Sequence, residues 1–161
     1  MIKVVLAWLA GAIMGTAFGV ALGFLAYPYV FAPPTATETL TSEESARPVA
    51  KGQFIHANPS DPIHYGKGSA TIYERTAFLH ADFEVGPGPA FHVYLVPKAN
   101  IRTSDDVKGT MFVDLGKIKS FKGSQKYPIP TGVDLRNYPS LVIFCEQFQV
   151  LISPADLGPV G

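Results

Sequence analysis

A chain of 161 residues with 13 Lys and Arg, 13 Asp and Glu and a formal net charge of zero has room for about one folded domain, and its scattered cations form no basic stripe for nucleic acid. Hydrophobic residues make up 47% of it, but 15 Gly and 14 Pro punctuate them, which points to short strands between turns and not to long helices. A single cysteine excludes an internal disulfide and any dithiol motif.

The first predicted element is a membrane helix. From Val4 to Ala26 no side chain is charged, and at 1.5 Å per residue that run spans about 34 Å, enough for a hydrocarbon core about 30 Å thick. The amino terminus and Lys3 precede it, whereas Glu38, Glu43 and Glu44 follow it before the first cation, Arg47. That asymmetry predicts a cytoplasmic N-terminus and a periplasmic or extracellular C-terminal part. Phe24-Leu25-Ala26 and Val30-Phe31-Ala32 loosely resemble signal-peptide cleavage sites. The apolar run exceeds an ordinary signal-peptide core, however, and Pro33 would follow the second cut, so residues 1–26 read as an uncleaved anchor in the lipid bilayer. Gly11, Gly15, Gly19 and Gly23 recur every fourth residue and make one side of the helix smooth. The strip predicts association with a second copy or with another membrane helix.

Residues 27–50 hold Pro, Thr, Ser and Glu with no apolar period and read as a disordered linker. From Lys51 to Leu157 short runs of β-branched and aromatic residues alternate with Gly, Pro, Asn and Asp, and residues 158–161 remain as a tail. The spacing predicts an all-β sandwich or barrel-like domain. Strands are expected over 53–56, 69–74, 77–83, 91–96, 111–115, 141–146 and 148–152. A hairpin is expected between residues 79–83 and 91–95 across Gly86-Pro87-Gly88-Pro89. Its parity places Leu79, Ala81, Phe83, Phe91, Val93 and Leu95 on one face, with His80, Asp82, His92 and Tyr94 on the other.

Cys145 ends the apolar run Leu141-Val142-Ile143-Phe144, whose two faces are both hydrophobic, as in a central strand. A thiol there is either a small core hydrophobe or a reactive group, and the choice depends on thiolate character. Nothing adjacent in sequence favours ionisation, since Glu146 is negative. His56, His64, His80 and His92 are the imidazoles available to it, with the hairpin parity turning His80 and His92 away from the core. No Cys-x-x-Cys-His, His-Glu-x-x-His or Gly-rich phosphate loop is present.

Read in order, Gly52-Gln53-Phe54, Gly68-Ser69-Ala70-Thr71-Ile72-Tyr73, Gly88-Pro89-Ala90-Phe91-His92-Val93-Tyr94-Leu95, Leu115-Gly116-Lys117-Ile118-Lys119, Gly123-Ser124-Gln125-Lys126-Tyr127-Pro128-Ile129-Pro130 and Val142-Ile143-Phe144-Cys145-Glu146-Gln147-Phe148 resemble the DM-thirteen domain. That family is proposed to take part in electron transfer, and the resemblance covers about residues 51–157. It implies that Cys145 is the hallmark residue, either as a bare thiol or as an anchor for a prosthetic group such as haem. Of the imidazoles in the sequence, His92 and His80 are the candidates for a second ligand. Two positions depart from the family pattern: Ala90 stands where an acidic residue is common, and Phe144 where Trp is frequent. The combined reading is a membrane-tethered extracytoplasmic redox domain centred on Cys145, with either haem or no cofactor. The alternative is a non-catalytic adhesion or assembly module in which the cysteine is structural.

Overall fold

The computed structural model describes residues 1–160. It contains two compact units, one ending at Ala32 and one beginning at Pro33. In chain order the elements are α1 (Ile2–Val30), β1 (Ala36–Thr37), β2 (Pro48–Phe54), β3 (Gly66–Tyr73), β4 (Thr76–Leu79), β5 (Glu84–Val85), β6 (Phe91–Val96), β7 (Val113–Lys117), β8 (Gly123–Pro128), β9 (Ser140–Cys145), β10 (Val150–Asp156) and β11 (Gly158–Pro159).

The first unit is α1, 29 residues whose length and composition are sufficient to cross a membrane. Pro28 is tolerated near its end. The Phe31 amide closes the last turn on the Tyr27 carbonyl at 2.8 Å, and Pro33-Pro34 disfavours continuation.

The second unit is a curled, mixed β-sheet in the order β1-β8-β4-β3-β2-β10-β9-β6-β7, with β11 also paired to β2 and β5 to β3. All neighbours are antiparallel except β1 with β8. β9 lies inside the sheet between β10 and β6, and every residue of β9 and β6 is buried. The main core holds Leu79, Val93, Leu95, Leu141, Ile143, Cys145 and Ile152. A second cluster of Tyr94, Val96, Val142, Phe144 and Leu151 forms on the opposite face, where Ile101 and Val107 cover it. Those two residues flank a short 3₁₀ turn, Ser104–Asp106, held by a reciprocal cap between Thr103 and Asp106.

The structure corrects three expectations. Residues 79–83 and 91–95 form no hairpin: β4 is taken by β3 and β8, and β6 by β7 and β9. Between them the chain turns at His80–Asp82 and adds β5 to β3. The stretch 27–50 is not a free linker. α1 runs into its start, and from Ala36 it is strapped to the sheet: the Ala36 amide donates to the Lys122 carbonyl at 2.9 Å and the Glu38 amide to the Ser124 carbonyl at 3.0 Å. The Glu38 carboxylate accepts from Lys119 Nζ and from the Lys126 amide, each at 2.8 Å, and Glu44 accepts from Lys126 Nζ at 2.8 Å. Polar composition gave no apolar face to bury, but an open strand edge with lysines beside it binds such a segment through its backbone and carboxylates. The supposed tail at 158–161 likewise begins with β11.

Candidate functional site

Cys145 stands at the end of β9, opposite Phe91 of β6 and Val150 of β10. It is 2% exposed and belongs to the hydrocarbon of the main core. Its Sγ–H donates to the Pro89 carbonyl at 3.2 Å. Burial pushes the thiol above its ordinary pKa, and the backbone amides of Phe148 and Gln147, which approach the sulfur, offset part of that rise. Two loops close over the thiol. Residues 86–90 supply Pro89, and the turn after β9 supplies the two amides; the Glu146 amide donates to the Ala90 carbonyl at 3.0 Å and ties the loops together. Each contains a non-glycine residue with left-handed backbone, Ala90 at φ 50° and Gln149 at φ 53°. This is the kind of strain that the surrounding structure must hold in place.

His92 lies on the opposite face of β6, as parity predicted, but that face is covered and the residue is only 8% exposed. Its Nδ1 is 2.9 Å from Asp114 Oδ2, and its Nε2 is 3.2 Å from Glu146 Oε2. The second approach is an ion-pair distance without hydrogen-bond alignment, and Nε2 is buried with no hydrogen-bond partner. Beside it Tyr94 stacks between Phe112, with ring centroids 4.2 Å apart, and Phe144, 5.7 Å apart. Burial and the nearby Asp114, Glu146 and Cys145 push the Tyr94 phenol up to about 12.

The other imidazoles are engaged elsewhere. His80 Nε2 meets Thr71 Oγ1 at 2.8 Å just beyond β4, and β3, β2 and β10 separate that strand from β9 in the sheet order. His56 Nε2 meets the Asp61 carbonyl at 2.7 Å, and His64 Nδ1 meets Asp61 Oδ2 at 2.7 Å. The hydrogen bond from His64, with the Ile63 and His64 amides, holds the Asp61 carboxyl down at about 2. The structure therefore does not gather Cys145, His80 and His92 into one centre.

A family model described as electron transfer DM13 matches residues 59–157. The chain belongs to the DM13 family. No curated protein and no solved structure matches it. The match takes in β3 to β10 and includes Cys145, so the DM13 domain contains both the thiol and the His92 cluster.

Haem does not fit the residues of this DM13 domain. The thiol faces hydrocarbon and gives its hydrogen bond to Pro89, while His92 is on the other face of the sheet. Among the described residues no group of three or more His, Cys, Asp or Glu side chains is placed to share one metal ion. For His92 the reason is visible: Asp114 and Glu146 approach opposite ring nitrogens.

Sequence alone does not mark Asp114 and Glu146 as partners of His92. The signal is long-range: Asp114 pairs with Tyr94 across β6–β7, and Phe144, before Cys145 and Glu146, pairs with His92 across β6–β9. In α1 a Cβ added at Gly11, Gly15, Gly19 or Gly23 would meet nothing within 4 Å.

Proposed function

We propose that this DM13 protein is a membrane-tethered electron-transfer module with its domain outside the cytoplasm and Cys145 as the redox residue. The observation that carries the reading is the match of residues 59–157 to an electron-transfer family across a span containing the only cysteine. In this reading residues 1–26 are the bilayer anchor and 51–157 the electron-transfer domain. Lys3 before the anchor and the glutamates after it support the outward orientation. An unpaired thiol on the oxidising side of a membrane needs protection, which burial beneath two loops supplies. The smooth glycine side of α1 supports helix association, with a second copy or a foreign membrane partner.

A second reading rests on the same burial. A thiol in hydrocarbon with a raised pKa also suits a non-catalytic assembly module, in which Cys145 only fills space. The full chain in detergent, with Cys145→Ser beside it, separates the two. For the redox reading the folded protein should react with small disulfide reagents at a measurable rate and show no Soret band. A thiol that reacts only after denaturation supports the structural module. A disulfide-linked dimer assigns Cys145 to covalent assembly.

A further inference from the structure

We propose that His92 and Glu146 form one edge of a binding site for a divalent first-row transition-metal cation, with Asp114 orienting the imidazole. The proposal is independent of the role given to Cys145.

Asp114 Oδ1 accepts the Gly116 amide at 2.8 Å, which fixes the carboxylate as an acceptor beside His92 Nδ1. Nδ1 therefore carries the hydrogen, and in neutral imidazole the lone pair is left on Nε2. That atom is buried and has no hydrogen-bond partner, and Glu146 Oε2 stands 3.2 Å away. In that form two acceptors face one another, and either a proton or a metal cation between them relieves the arrangement. Donors 3.2 Å apart, each about 2.1 Å from a shared ion, subtend about 100° at it, within the range of tetrahedral and octahedral edges. Imidazole with carboxylate suits zinc, copper(II) or nickel(II), and a carboxylate on the far ring nitrogen is the usual orienter of a metal-bound histidine. The Glu146 side chain is 55% exposed, so it can re-aim to admit the ion, and water takes the remaining positions. Sequence gave no hint of this because the three residues lie on three strands or their ends.

The test is titration of the tag-free full chain in detergent micelles with Zn²⁺ by calorimetry and with Co²⁺ by visible absorption. One ion per chain is expected, with Co²⁺ ligand-field bands and no sulfur charge-transfer band. Glu146→Gln and Asp114→Asn should each weaken binding by about tenfold or more, with unchanged circular dichroism, and Cys145→Ser should leave affinity unchanged. The absence of saturable binding overturns the proposal and identifies the groups as a proton-bridged cluster. Binding that survives both Glu146→Gln and His92→Gln overturns it by placing the metal elsewhere, and binding lost in Cys145→Ser assigns the ion to the thiol instead.

Discussion

At the residue scale, access to the Cys145 sulfur depends on how tightly Phe91 and the loop at 86–90 pack beside it. A Cβ at Gly88 would run into the Phe91 ring, and Phe91 is the register partner of Cys145. Gly88→Ala should therefore destabilise the domain by about 1–3 kcal/mol, the range for overpacking a filled site. It should also speed alkylation of the native thiol, read by mass spectrometry against denatured protein; an unchanged rate would show that this loop does not control access. Gln125 is a second decisive residue, fully buried on β8. Its Oε1 accepts from the Lys119 amide at 2.9 Å, the Ser120 amide at 3.1 Å and Tyr127 Oη at 2.8 Å, and its Nε2 donates to the Ser120 carbonyl at 2.8 Å. Gln125→Leu strands those groups and should cost about 3 kcal/mol in urea unfolding, whereas a loss below about 0.5 kcal/mol would mean that the network is replaceable. Of the site, parity made the face of His92 legible and composition singled out Cys145. The carboxylates on either side of His92 were not legible, because they arrive through strand pairings between segments far apart in sequence.

Among the elements, the apolar alternation of β6 and β9 identified both strands, because burial on two faces leaves a strong signal. β8 escaped because its core-facing positions are Gly123, Gln125 and Tyr127, and a buried glutamine breaks an apolar period while satisfying itself through hydrogen bonds. The strap at 36–44 escaped because its attachment is polar. Burial raises the Glu38 carboxyl, but bonds from Lys119 and the Lys126 amide with the two ammonium charges bring it below the ordinary 4.5. Glu44 is lowered as well, chiefly by Lys126 and Thr41. With folded values below unfolded ones, the stabilisation is complete above the ordinary value and is lost as pH falls through the lowered folded value. Hydrogen-exchange protection of the Ala36 and Glu38 amides should therefore be lost as pH falls below the ordinary 4.5 while that of β9 persists. Equal retention in both places would show that the carboxylates do not hold the strap. Glu38→Gln should reproduce the loss at neutral pH, at about 1 kcal/mol once screening of a partly exposed pair is discounted.

For the molecule as a whole, a helix long and apolar enough to cross a membrane precedes a DM13 domain, and the proposed function joins the two as an anchored electron-transfer module. The proposed outward orientation predicts that a membrane-impermeant amine reagent on intact cells modifies exposed Lys51 and spares Lys3. The reverse pattern would place the domain in the cytoplasm, where an unpaired thiol is ordinary and its protection needs no explanation. The central claim, that the buried sulfur takes part in electron transfer, is tested most directly by film voltammetry of the full chain beside Cys145→Ser. Because a single thiol has no second sulfur to close a reversible couple, the expected result is a thiol-oxidation wave in the native protein that is missing from the variant. No signal in either, or the same signal in both, contradicts it.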